Sequence, residues 1–379
     1  YPIDSTMRAD YDRTIPIEVR DEFKGAMSCN GNGLCFNFDV HSTMCPSMKV
    51  SGNRLFSPKG RAAMIREWLR LLAEQDVDPQ TLIFDSSKNQ VKLTDFVAKI
   101  RHSLKKKQEY DFSHEVKAAM DTCLACKACA SQCPIKIDVP TFRSQFNQLY
   151  HQRYFRPIKD YVVSNLEFIA PIMAKAPRFF NFFSTTQLAE VAANKLIGMT
   201  YLPALSVPNL RQQLVTIGYQ GETLEALEKQ AASGQFSAEN CKTVLIVQDP
   251  FTTFYDAKVV ADFVKFVEKI GFRPIVLPFN PSGKAQHIKG FLSQFAKTAK
   301  NQAEFLNRVA KLGLPMVAID PALTLLYRDE YRDILKAERG NFHVQLAHEW
   351  LKSVIQNETL NVSKKAVESD RLPWHLFAH

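Results

Sequence analysis

The sequence predicts an α+β chain, with a helical region built around cysteines, a helical connector and an α/β module on a parallel sheet. Three observations predict it. Seven of the eight cysteines fall between 29 and 133, among apolar residues at helical spacing. Residues 141–235 are helical in pattern and aromatic-rich, but Pro157, Pro171, Pro177, Pro203 and Pro208 break them into short pieces. From 241 onward, short apolar runs alternate with longer amphipathic stretches, as in a parallel sheet covered on both faces.

The elements follow in order. Residues 1–28 are polar, Arg-rich and weakly periodic, and read as an extended linker. Residues 29–46 form a loop of Gly, Asn and Cys. Ser57-Pro58 reads as a cap followed by proline in the first helical turn. Ile65, Trp68, Leu69, Leu71 and Leu72 then mark an apolar helix face. Residues 104–112 are charged and solvated, and helices are expected on both sides of the cysteine run at 123–133. In the connector, Phe179, Phe180, Phe182 and Phe183 lie beside Lys175 and Arg178. Core packing or a domain interface is the preferred reading of that patch, over a membrane interface.

Three strands are expected, beginning at Val244, Pro274 and Pro315. Helical patterns run from Tyr255 to Ile270, ended by Gly271, and from about 286 to 312, ended by Gly313. His343–Ile355 reads as a further amphipathic helix. The domains are therefore placed at 29–150, 151–235 and 236–379, after the linker 1–28, consistent with two or three cores in 379 residues.

Composition narrows the function. The apolar share of 46% is ordinary, and the net charge of +9 suits either an anionic partner or a solvated surface. No run of 18 uncharged apolar residues and no signal peptide is visible, so a cytoplasmic protein is expected, with contact at the inner face of a membrane left open. The opening Tyr-Pro-Ile, without an initiator Met, reads as a fragment or processed product. Cysteines without a secretion signal point to reduced thiolates serving a metal rather than to disulfides.

The strongest motif is Cys123-x2-Cys126-x2-Cys129-x3-Cys133-Pro134. Its spacing lets one tight loop present three thiolates to an iron–sulfur cube, with Ala125, Ala128 and Ala130 leaving room for backbone N–H groups. Zinc favours two separated pairs and suits the run less. The fourth cysteine of such a run, followed by proline, goes to a different cluster. A partner loop is present: Cys29 and Cys35 keep the same frame with Asn32 at the second position, and Cys45-Pro46 closes it. The pairing is thus swapped. Cys123, Cys126, Cys129 and Cys45 make a complete [4Fe-4S] site, while Cys29, Cys35 and Cys133 make a site one ligand short.

The short site stays open between a [3Fe-4S] cluster, a [4Fe-4S] cluster completed by Asn32, Asp39 or His41, and structural cysteines. Occupation is favoured because three ligands persist in frame. Cys241 reads as a buried core thiol. Gly31-Asn32-Gly33 lacks the lysine and context of a phosphate loop, and His343 and His348 miss the i, i+4 spacing of a helical metal pair. No dinucleotide fingerprint appears, so no flavin or nicotinamide site is expected on this chain.

With these residues in view, the chain resembles a bacterial family, the large FAD- and iron–sulfur-containing 2-hydroxyacid dehydrogenases of YdiJ type, described as D-2-hydroxyglutarate dehydrogenases. The resemblance rests on Cys29-Asn-Gly-Asn-Gly-Leu-Cys-Phe, Met44-Cys-Pro-Ser-Met, Ser57-Pro-Lys-Gly-Arg and the run at 123–134, and extends through Gly283-Lys-Ala-Gln-His-Ile-Lys-Gly and Asp320-Pro-Ala-Leu. It implies a helical two-cluster ferredoxin-like domain followed by a degenerate, flavodoxin-like form of a cysteine-rich module, with Pro281-Ser-Gly and Pro321-Ala-Leu where relatives often carry cysteines. It also implies FAD on a separate N-terminal half or partner, and electrons passing from flavin to a quinone or soluble carrier. No residue here is expected to perform acid–base catalysis. Three rivals are a heterodisulfide-reductase-like thiol/disulfide or quinone-reducing module, an iron–sulfur sensor or nucleic-acid binder, and a structural module whose clusters only brace the fold. Nucleic acid is not expected, since no basic helix or basic-aromatic groove is visible.

Overall fold

A computed structural model describes residues 8–84, 99–104, 110–184, 186–199, 203–219, 221, 223–233 and 242–356. The chain divides into two compact units, one formed by the described residues up to Arg156 with Gln286–Ser293, the other by the rest. Among the described residues helices predominate, and the one sheet is small and parallel.

The first unit is helical. Ser57 caps the helix Pro58–Glu74 by accepting the Gly60 N–H at 3.1 Å, and Pro58 occupies its first turn, where a missing N–H costs nothing. Ile65, Trp68 and Leu69 face the core. Trp68 meets Phe23 and Phe146 edge-on, with ring centroids 6.1 and 4.9 Å away. Burying such side chains contributes roughly 1.5–3 kcal/mol each. Asp138 caps the helix Val139–Arg153, whose Phe142, Phe146 and Tyr150 complete the core.

The segment read as an extended linker is different. Residues Arg8–Asp12, Ile17–Glu22 and Lys24–Met27 form three short helices. Ile15, Val19, Phe23 and Ala26 are all buried, so a stripe at spacings of four, four and three packs this segment into the core.

The expected helix over 286–312 is interrupted. It is two helices, Lys284–Ile288 and Leu292–Ala310, parted at Gly290. There the backbone passes so close to the helix Val139–Arg153 that a Cβ on Gly290 would lie 2.7 Å from Asn147 Cβ and 2.8 Å from the Ser144 carbonyl. Gly290 also sits at φ +70°, open to glycine at no steric cost. Gln148 accepts the Leu292 N–H at 2.9 Å, and Arg156 stacks on the Phe291 ring at 3.9 Å.

The second unit holds strands β1 (Thr243–Val247), β2 (Arg273–Val276), β3 (Met316–Ala318) and β4 (Val344–Leu346), all parallel, in the order β2-β1-β3-β4. β1 is buried at every residue, as a strand covered on both faces must be. β4 corrects the reading of His343–Ile355 as one helix: the strand comes first, and the helix is Ala347–Gln356. Three residues are too few for the two-residue period to stand apart from a helical one. Short helices fill the connector. The helix Pro177–Ser184 buries none of its residues, and Phe179, Phe182 and Phe183 are exposed, against the core-packing part of the expectation for that patch. Among the described residues, no helix is long and apolar enough to cross a membrane.

Candidate metal centre

The run at 123–133 joins the helix Ser113–Asp121 to the short helix Ala128–Gln132. Two of its residues, Ala125 (φ +56°) and Lys127 (φ +57°), are left-handed. Non-glycine residues adopt that conformation at a cost that the surroundings must offset. The two turns curl the chain around a pocket. Cys45 is left-handed too (φ +52°), just ahead of Pro46 and the helix Pro46–Ser51.

Cys45, Cys123, Cys126 and Cys129 line that one pocket, together with Arg61 and Lys127. Cys45 and Cys129 are buried, Cys123 is half-buried and Cys126 is exposed. All the described cysteines are free thiols. Burial pushes the Cys129 thiol up to about 12 and raises Cys123, which the Arg61 guanidinium pulls back toward its thiolate. Among the described residues, no three Cys, His, Asp or Glu side chains converge on a point that would hold a single metal ion. The four thiols surround a space instead. Soft sulfur donors with no carboxylate or imidazole among them suit an iron–sulfur core.

Cys29, Cys35 and Cys133 are not among the residues that line that pocket. Cys35 is buried, and its thiol is raised by burial and by the neighbouring Cys29. Cys133, at the end of the helix Ala128–Gln132, packs against the group formed by Cys35, Met44, Cys45 and Met48. The non-cysteine candidates sit on an exposed loop. The Asn32 side-chain oxygen accepts the Leu34 N–H at 3.1 Å, Asp39 accepts the His41 N–H at 2.9 Å, and the His41 side chain faces solvent. Cys241 lies outside the described residues. His343 and His348 are exposed. In the second unit, Ser282 and Gly283 are held by the buried Glu167 carboxylate, which accepts the Gly283 N–H at 2.9 Å and the Ser282 hydroxyl at 3.0 Å.

Sequence reasoning missed the polar groups behind the thiols. Two of them, Lys59 and Arg61, come from Ser57-Pro-Lys-Gly-Arg61. The Lys59 N–H donates to Cys35 Sγ at 3.3 Å, while Lys59 Nζ reaches the Gly31 carbonyl at 2.8 Å. Arg61, 1% exposed, points a guanidinium nitrogen at Cys45 Sγ (3.6 Å). Buried Lys127 is paired with Asp138 at 3.1 Å. Arg143 is buried close enough to Cys123 to favour its charged form. One signal could have found Arg61: with Ile65 and Trp68 it falls at i, i+4 and i+7, a charge on the core-facing stripe.

Comparison with known proteins adds three findings. Residues 25–137, which contain all seven of these cysteines, match the model of the 4Fe-4S dicluster domain. Over its whole length the chain is 60% identical to a D-2-hydroxyglutarate dehydrogenase of Haemophilus influenzae and 56% identical to one of Escherichia coli, spanning 36% of each. It is 40% identical over 94% of its length to one of Pseudomonas putida, spanning 35% of it. The chain thus spans about a third of the length of these relatives. No solved structure matches.

Proposed function

We propose that this chain, which carries a 4Fe-4S dicluster domain and is homologous throughout its length to part of the D-2-hydroxyglutarate dehydrogenases, is the iron–sulfur electron-transfer portion of an FAD-linked D-2-hydroxyacid dehydrogenase, with D-2-hydroxyglutarate its substrate. The observation that carries this reading is the pocket where Cys45, from the first loop, joins Cys123, Cys126 and Cys129 from the second. In this reading those four thiolates hold one [4Fe-4S] cluster. Cys29, Cys35 and Cys133 hold a second, [3Fe-4S] or [4Fe-4S], with Asn32 at the vacant position of the frame. When bound, the clusters supply one-electron acceptance and release.

The chain's own residues do the rest. The thiolates bind, and the left-handed residues Ala125 and Lys127 turn the loop that carries them. The Lys127–Asp138 pair ties the cysteine loop to the next helix. Residues 29–150 hold the clusters, and 151–235 connect them to the α/β module of 236–379. FAD and the substrate belong to the remainder of the longer polypeptide or to a partner subunit. The electrons leave to a quinone or a soluble carrier, and the second unit takes no part in acid–base chemistry.

Iron counting with low-temperature EPR on anaerobically purified chain tests the reading. About seven or eight irons per chain are expected for two clusters, and fewer than about four would refute it. Cys126→Ser, at an exposed position, should remove one cluster signal and leave the fold intact.

A further inference from the structure

Arg61 stands in a costly position. It is fully buried, and its donors meet the Ala119 carbonyl (3.0 Å), Ser47 Oγ (3.0 Å), Thr122 Oγ1 (2.7 Å) and Cys45 Sγ (3.6 Å). Three of these are neutral oxygens and none is a carboxylate. A buried guanidinium without a counter-ion is strongly destabilising unless an anion accompanies it. The pocket that it lines is walled by four thiols. A cubane held by four thiolates is a net anion in both redox states, and more negative when reduced. A fixed cation beside one of its ligands therefore stabilises the reduced state more than the oxidised one.

The side chain is also immobilised. Its three oxygen partners come from the helix Ser113–Asp121, the residue after it, and the helix Pro46–Ser51, so the charge is fixed from two directions. The other cations nearby differ. Lys127 is paired with Asp138 across 3.1 Å, and Arg143 acts on Cys123 through its charge.

We propose that Arg61 is a positioning residue that raises the reduction potential of the cluster held by Cys45, Cys123, Cys126 and Cys129. The inference rests on the ligand set proposed above. The partner contact is the guanidinium of Arg61 with the sulfur of Cys45, supported by the hydroxyls of Ser47 and Thr122.

A potentiometric titration of the full chain, followed by low-temperature EPR, tests it. The relevant signal is the one that Cys126→Ser removes. Arg61→Gln keeps amide donors and removes the charge. Ser47→Asp keeps Arg61 and sets a carboxylate against the guanidinium nitrogen that Ser47 now contacts. Each should make reduction of this cluster at least tenfold less favourable, a fall of about 59 mV for one electron. Arg61→Lys should recover more than half of that shift. Where Arg61→Gln sheds iron, Ser47→Asp decides. An unmoved midpoint in the iron-loaded variants, a Lys variant no better than Gln, or iron lost from both neutralised variants would overturn the proposal in favour of a purely bracing role. A wild-type chain without iron would overturn the ligand set itself, whereas bound iron with an unmoved midpoint overturns only the role of Arg61.

Discussion

Gly60→Ala is the sharpest test of how the helix Pro58–Glu74 supports the cysteines. On propensity alone the change should stabilise a helix, by at most about 1 kcal/mol. The surroundings oppose it. A Cβ at Gly60 would lie 2.2 Å from the Arg54 carbonyl oxygen and 2.7 Å from Leu55 Cα and the Leu55 carbonyl oxygen. Ordinary contact is roughly 3.5 Å, so backbone must move by about 1 Å, and no side chain is present to rotate away. Overpacking costs about 1–3 kcal/mol, and with every close atom on the backbone the upper end applies, so about 3 kcal/mol less the propensity gain of about 1 leaves the clash ahead by about 2 kcal/mol. The displaced turn carries the Lys59 N–H on Cys35 and the Arg61 fork on Cys45. Urea unfolding should show a midpoint lower by about 1 M, taking m as about 2 kcal/mol/M. Iron content should fall with it. Gly52→Ala is the control: its Cβ meets nothing within 4 Å, and its φ of +64° costs about 1 kcal/mol. A Gly60→Ala chain as stable as wild type, or more so, would refute the reasoning.

Two further outcomes follow from the same geometry. Cys45→Ser, although it lies in the first loop, should abolish the EPR signal that Cys126→Ser abolishes, while Cys133→Ser, within the second run, should spare it; the opposite result would assign each run its own self-contained site. In the second unit, hydrogen bonds from Arg328 chiefly, aided by the Leu346 N–H, hold the Glu349 carboxyl at about 2, below its usual 4.5. A lowered carboxyl stabilises the fold above 4.5, and that stability is lost as the pH falls toward about 2. The Glu349 side chain is 39% exposed, so solvent screening limits the pair to about 0.2–1 kcal/mol. Glu349→Gln should lower the unfolding midpoint at neutral pH and flatten its fall across that acid range, with an unchanged acid slope counting against the pair.

The fold was legible where a period ran long enough. The face of Ile65, Trp68 and Leu69 and the strand Thr243–Val247 announce themselves because one side, or every side, of the element must be apolar. The break at Gly290 was not legible. A glycine inside an amphipathic stretch reads as a weak helix residue, and only the approach of Ser144 and Asn147 makes it a requirement. The leading helices carried their stripe of Ile15, Val19, Phe23 and Ala26 in the open, but Pro16 and the surrounding charges masked it.

The site divides along a similar line. Thiolate spacing belongs to local sequence, since one loop must curl around one object, and the two Cys-Pro endings pointed to Cys45, which does line the pocket with Cys123, Cys126 and Cys129. The charge behind the thiols belongs to tertiary structure. Arg61 is 16 residues from Cys45 and 61 from Thr122, and only packing brings the three together. Yet its buried place was written in the helix period, because a residue at i of an i, i+4, i+7 stripe with Ile65 and Trp68 faces inward whatever its charge. An arginine there must either be neutralised or face something anionic. The Ala119 carbonyl and the hydroxyls of Ser47 and Thr122 supply no carboxylate, and the thiol-lined pocket is what lies beside it. A charge out of phase with its own helix is thus a pointer to the site as direct as the cysteines, and one that depends on no motif.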